Sequence, residues 1–320
     1  MGIALQTMTN ELTHVFLLSV GAFLLAMFLT PIYTFFAYRY RFWKRQRSES
    51  TDGKKLKVFA KFQAAKLRRN IPTMAGIIGV ISIFVVTIFF NLDRAQTWLP
   101  LAALVGGGIV GLIDDIINLR GLGGGAAGLR SPVKFALITL IGVVLGWFFF
   151  AKLGVASFHV PFVGEVNIGW LIVPLFAFAV VATGNAVNIS DGMDGLAGGL
   201  LGISFGAFGV IALLQQHVIL AGFCFTVVGV LLSYLWFNIY PARFFMGDVG
   251  SFAYGACLGV VAMLTDSLLL LPVIGLLFVI EAGSSLTQIV SKKLFKRKIF
   301  LSAPIHHHLE AIGWPETKVT

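Results

Sequence analysis

WLPLAALVGGGIVGLIDD, residues 98–115, runs sixteen positions without a charged side chain and then sets two aspartates side by side. Such a run reads as a bilayer-spanning helix, because about 20 apolar residues rising about 1.5 Å each cross about 30 Å of hydrocarbon. It lacks the in–out alternation of a barrel strand. The run at 98–113 is joined by others at 14–37, 73–91, 133–151, 170–187, 196–214, 218–237, 251–266 and 268–290. The expected fold is therefore all-α, a polytopic integral membrane protein with nine spans forming one transmembrane domain over 1–320. Only Thr265, Asp266 and Ser267 separate the last two. Composition agrees: 58% hydrophobic and 12% charged residues, with mean hydropathy +0.90, against about 45–50% and about 25% in water-soluble globules. Disorder, collagen and a disulfide-stapled module are excluded by the same figures. Cys224 and Cys257 lie in apolar runs and read as packing residues.

Charge orients the spans. No Lys or Arg precedes Arg39, so the first span lacks the basic flank of a cleavable signal and reads as a retained anchor. Twelve Lys/Arg follow between Arg39 and Arg69, which makes the loop 38–72 cytoplasmic. With that one choice the loop 114–132 and the segment 291–320 are cytoplasmic too, and 22 of the 24 Lys/Arg fall inside; Arg94 and Lys152 do not. The net charge of +10 then reflects orientation and attraction to anionic lipid and phosphate. No stacking aromatic pattern accompanies it, which argues against a nucleic-acid partner. The Gly-rich piece Gly121–Gly128 lacks the Lys-Ser/Thr of a phosphate loop and reads as a connector. There is no defensible internal repeat.

Charges within lipid cost about 2.5–3.5 kcal/mol each even on lenient scales, so their positions carry information. Asp114 and Asp115 close the third span, Asp191 and Asp194 join the fifth to the sixth, and Asp248 precedes the eighth. All face the cytoplasm in this topology, as does the triplet His306, His307, His308. A solvated helix end is the plain reading of the Asp pair. Aspartate at a helix C-terminus, however, opposes the macrodipole and asks for a cation, either a metal or a lysine such as Lys134. Asn185, Asn188, Asp191 and Asp194 recur every three residues, one face of a helix if the segment stays helical, while Gly192 and Gly195 permit a turn. An N-cap role for either aspartate leaves both asparagines unexplained. Asp248, set between Gly247 and Gly250, suits a hard cation such as Mg²⁺. Zinc fits poorly, since no metal-type Cys/His spacing exists. The histidines read better as imidazoles beside a phosphate than as an idle surface run. Glu281, mid-span, is a candidate site residue, with a hydrogen bond to a neighbouring helix as its plainer role. His14, His159 and His217 are isolated.

The motifs Ile71-Pro-Thr73-Met74-Ala75-Gly76, Asp114-Asp115, Ser131-Pro-Val-Lys134, Asn185-Ala-Val-Asn188-Ile-Ser-Asp191-Gly-Met-Asp194-Gly, Phe237-Asn238-Ile-Tyr-Pro241, Phe245-Met-Gly-Asp248-Val-Gly-Ser251 and Pro304-Ile-His306-His307-His308-Leu-Glu310 resemble those of the phospho-N-acetylmuramoyl-pentapeptide transferase (MraY) family. The aspartate motifs are shared across the wider polyprenyl-phosphate sugar-1-phosphate transferases; the histidine motif is specific to this family. The resemblance implies Mg²⁺-dependent transfer of phospho-MurNAc-pentapeptide from UDP-MurNAc-pentapeptide to undecaprenyl phosphate, giving lipid I and UMP at the cytoplasmic face of the bacterial inner membrane. It implies Asp248 and Asp115 as metal or diphosphate ligands, Asp114 as the group that deprotonates or positions the lipid phosphate, and Lys134 as phosphate neutraliser. Asn185, Asn188, Asp191, Asp194, Asn238 and Phe245 would line the nucleotide side, Phe245 by stacking on uracil. Thr73, Ser251, Gln288, His306, His307 and His308 would complete the pocket. A homodimer is implied by the same analogy.

Three departures from the family pattern stand out. Ala75 replaces a glycine, Arg68 or Arg69 stands where a lysine is expected, and the loop after Asp115 is longer. The family also carries a tenth span after Gly313-Trp314-Pro315, whereas this chain stops at Thr320. Rival readings are another polyprenyl-phosphate sugar-1-phosphate transferase, for instance of GlcNAc-1-phosphate, and a cation transporter whose ion path uses the aspartates.

Overall fold

A computed structural model describes residues 2–43, 70–121 and 128–320; most of the basic loop, with Arg68 and Arg69, and the centre of the Gly-rich loop lie outside them. In chain order the helices are α1 (Gly2–Arg39), α2 (Gly76–Phe90), α3 (Trp98–Arg120), α4 (Ser131–Leu153), α5 (Ile172–Ser190), α6 (Leu196–Leu214), α7 (Val218–Asn238), α8 (Gly247–Leu264), α9 (Leu271–Ile274), α10 (Leu276–Leu294), α11 (Ile305–Ala311) and α12 (Glu316–Val319). Between α4 and α5 lies an antiparallel hairpin, β1 (Ser157–Val160) and β2 (Gly164–Asn167), in register Ser157↔Asn167. Helix ends follow local chemistry. Gly121 (φ 69°) and Gly154 (φ 71°) take the left-handed conformation that stops α3 and α4, and Pro132 occupies the first turn of α4.

Among the described residues, seven helices are long and apolar enough to cross a membrane: α1, α3, α4, α5, α6, α7 and α8. An eighth candidate is a broken one, the segment 268–274 and α10, bent by 81° at Gly275. The run expected as a span at 73–91 forms the 15-residue α2, about 22 Å long and short of the hydrocarbon thickness. The third span continues to Arg120, so Asp114 and Asp115 sit inside α3, six and five residues before its end, rather than closing it. The eighth begins at Gly247, which puts Asp248 in its first turn.

The centre of the bundle is α8. Every residue from Gly247 to Met263 is buried, and α8 is shared by two cores. One gathers Phe205, Phe208 and Phe223 with Tyr254 and Cys257; the other gathers Phe149, Phe176 and Ile138 with Phe252 and Val260. Both cysteines are buried free thiols that serve packing. Glycine lets the backbones meet, as small residues do between membrane helices. A Cβ at Gly111 of α3 would stand 2.0 Å from the Asp248 carbonyl oxygen, and one at Gly255 of α8 would stand 2.7 Å from Gly184 Cα of α5.

The hairpin docks at the other end of α8, where the His159 amide donates to Asp266 Oδ1 (2.8 Å). Burial holds the Asp266 carboxyl above the usual carboxylate range, while hydrogen bonds, first from Ser157, hold Glu165 below it. His159, Glu165 and Asp266 form an exposed cluster there, with donor atoms within 4.8 Å of one another. His159 is therefore not isolated.

Candidate active site

Asp114 and Asp115 on α3, Lys134 in the first turn of α4 and Asp248 in the first turn of α8 meet at one end of the bundle. The Lys134 ammonium lies between two carboxylates, 3.3 Å from Asp114 Oδ1 and 3.1 Å from Asp248 Oδ2. Below it the Phe252 ring centroid is 5.7 Å away. Asp114 Oδ1 also accepts the Leu129 amide at 2.6 Å, and Gly128 (φ 104°) lies so close that a Cβ there would be 2.7 Å from both Asp114 oxygens. Asp115 Oδ2 accepts the Val249 amide at 3.0 Å. The three aspartates are all buried, and each offers an oxygen within 4.8 Å of the others. Three buried carboxylates gathered this closely repel one another in a low-dielectric pocket, an arrangement that favours cations and hydrogen-bond donors around them.

A side-chain hydrogen bond ties the helix of Asp248 to α5. Asn188 Nδ2 donates to Ser251 Oγ (2.8 Å), one turn along α8 from Asp248. Asn185, half-buried, donates to the Val181 carbonyl of its own helix. α5 ends at Ser190, so Asp191 caps it and Asp194 lies in the following turn rather than on the helical face the spacing suggests. That turn is tightly held: Asp194 Oδ2 accepts the Ala242 amide (3.0 Å), and Asn238 accepts the Gly195 amide (2.9 Å) while donating to the Phe244 carbonyl (2.8 Å). Asn238 and Asp194 thus shape the loop through the protein's own backbone. The half-buried Phe245 belongs to a strand-like pairing with residues 72–75, through its amide to the Pro72 carbonyl and its carbonyl to the Ala75 amide. This brings Met74 beside Gly247, which itself lies against Asp115, and Thr73 Oγ1 is buried with no hydrogen-bond partner among the described residues.

The histidines arrive from the tail. His306, on α11, is 1% exposed; its Nε2 faces Gly192, where a Cβ would lie 2.6 Å away. His307 pairs with Glu310 (2.7 Å) and its Nε2 lies close to the same glycine, whereas His308 accepts the Leu301 amide (3.3 Å) on the far side of the helix turn. Gln288 reaches no motif residue. It brackets the tail, accepting the Ile299 and Phe300 amides and donating to the Phe300 carbonyl. Two further acids reach this region, one flagged by the sequence and one not. Glu281 bonds His306, and Glu316 accepts the Asp194 amide (2.8 Å). An intramembrane carboxylate flagged the first; nothing local flagged the second.

Residues 97–266 match the sequence profile described as Glycosyl transferase family 4. The chain is 37% identical to the phospho-N-acetylmuramoyl-pentapeptide-transferase of Chloroflexus aggregans over 334 aligned positions, covering all of this chain and 88% of that one. The protein of the same name from Chloroflexus aurantiacus is 38% identical over the same shares. That from Geobacillus thermodenitrificans is 36% identical over 307 positions, 93% of this chain and 90% of its own.

Proposed function

This chain belongs to the phospho-N-acetylmuramoyl-pentapeptide transferases of glycosyl transferase family 4, and on that premise we propose that it moves phospho-MurNAc-pentapeptide from its UDP carrier to undecaprenyl phosphate, at the cytoplasmic face of the bacterial inner membrane. The products are lipid I and UMP. The observation that carries the reading is the buried set of Asp114, Asp115, Asp248 and Lys134 gathered at one end of an apolar bundle. Carboxylates gathered at one end suit surface chemistry on two phosphorylated substrates better than an ion path through the membrane centre.

The donor set fits Mg²⁺: three buried carboxylates offering hard oxygen ligands within 4.8 Å of one another, with no thiol and no imidazole among them. Asp115 and Asp248 would hold the ion, which supplies charge neutralisation for the diphosphate. The chain's own groups do the remainder. Lys134 neutralises developing charge on the phosphates, Asp114 orients the lipid phosphate, and the Asn188–Gly195 segment with Phe245 holds the nucleotide. In the reaction an oxygen of the lipid phosphate bonds to the β-phosphorus of the donor and the bond to UMP breaks. A phosphate monoester is already a competent nucleophile, so the step is alignment and electrostatics, with no aspartyl intermediate; a phospho-aspartate trapped on Asp114 or Asp115 would contradict this.

The test is lipid I synthesis by purified protein, with and without Mg²⁺, beside Asp248→Asn. The expected result is metal-dependent lipid I formation and a loss of at least a hundredfold in the variant. Full activity in Asp248→Asn removes its assigned role, and UMP release with UDP-GlcNAc but not UDP-MurNAc-pentapeptide moves the chain to a different sugar phosphate.

A further inference from the structure

Along α10, the buried polar residues Glu281, Ser284, Gln288 and Ser291 follow a helical stripe. Each is bonded to the chain that comes back after the helix. Ser291 Oγ donates to the Arg297 carbonyl (2.9 Å), Gln288 brackets Ile299 and Phe300, Ser284 Oγ accepts the Ile305 amide (2.9 Å), and Glu281 Oε2 meets His306 Nδ1 at 2.7 Å. The first three fix backbone. The last fixes an imidazole, and it is the only one of the four that acts on a side chain at the site.

An ionised carboxylate is acceptor-only, so the ring nitrogen that faces Glu281 carries the hydrogen. Its partner, Nε2, is then the free edge of the ring. That atom is buried, has no hydrogen-bond partner among the described residues, and is aimed at Gly192, in the loop between Asp191 and Asp194. A side chain at Gly192 would fill the space in front of it. A buried, unpartnered ring nitrogen destabilises the fold, a cost that a ligand group bonded to Nε2 removes.

We propose that Glu281 is a positioning residue for the transfer reaction: it locks His306 with Nδ1 protonated, and so presents Nε2 to the nucleotide portion of the donor substrate. This rests on the transferase reading above. Glu281 does not touch substrate; it acts through His306, as a carboxylate that orients an imidazole does in other enzymes.

The experiment combines ¹⁵N-histidine NMR of the full chain in detergent with lipid I kinetics, for wild type and Glu281→Gln; His306→Asn identifies the His306 signals. Wild type is expected to show the Nδ1-protonated pattern, with Nε2 shifting on addition of UMP. In Glu281→Gln, whose amide either accepts or donates, the pattern becomes mixed, the UMP response weakens, and kcat falls about ten- to a hundredfold with a smaller change in KM. In the His306→Asn background the same change at Glu281 has no further effect. A wild-type ring without the Nδ1 proton overturns the proposal, as does Glu281→Gln with unaltered signals and kcat. A protein that shows the expected signals and UMP response but makes no lipid I sinks the choice of sugar substrate and leaves the Glu281–His306 assignment standing.

Discussion

Lys134 shows how one side chain holds a site together. Its ammonium is within 3.3 Å of two buried carboxylates from different helices, and removing one partner from such a pair costs about 3–5 kcal/mol because the other is left uncompensated. Lys134→Met is expected to lower stability by about 3 kcal/mol in metal-free detergent solution, with Mg²⁺ restoring part of the loss, and to reduce transfer at least a hundredfold. Thermal melting with and without MgCl₂ decides this, and a variant as stable as wild type under both conditions would show that the bridge contributes nothing. The acids at 114, 115, 191, 194 and 248 were legible because a charge inside an apolar run is expensive and therefore conspicuous. The pairing of Glu281 with His306 was not: the two are 25 residues apart, and only the return of the tail along α10 joins them. Asn238 and Gln288 look like ligand groups in sequence, since an amide bonded to its own protein's backbone leaves the same signature as one reserved for substrate.

Among the elements, the apolar runs were readable and their ends were not. Hydropathy reports where charge begins, and α3 continues past two aspartates because Lys134, Leu129 and Val249 satisfy them within the bundle. The same blindness set the second apolar run at 73–91, whereas the helix within it, α2, is only 15 residues long. The α3–α8 contact depends on an absent side chain at Gly111. Gly111→Ala puts a methyl group 2.0 Å from the Asp248 carbonyl and 2.5 Å from the Val249 nitrogen, so the helices must part just where Asp115 bonds Val249. A loss of about 1–3 kcal/mol is expected, with transfer falling further than stability. Gly199→Ala, on α6 with open space around it, is the control and should melt at or slightly above the wild-type temperature. Equal behaviour of the two variants would remove the close approach as a determinant of site geometry.

For the whole molecule, the aspartate site and the hairpin lie at opposite ends of α4, whose 23 residues span about 35 Å. Charge bias predicts that the aspartate end lies inside, an orientation that can be measured. Phe162→Cys, at the exposed hairpin turn, and Ile312→Cys, in the tail beside the site, should react with a membrane-impermeant maleimide from opposite sides of sealed inner-membrane vesicles. The native Cys224 and Cys257 are fully buried and give little background. Labelling of both positions from one side would contradict the arrangement.

The burial of α8 has one more consequence. Because the helix that carries Asp248 has no surface facing lipid, a thicker or thinner bilayer pulls only on the outer helices, which answer by tilting. The Asp248 carboxylate is suspended in a protein sleeve, set apart from the acyl chains around it.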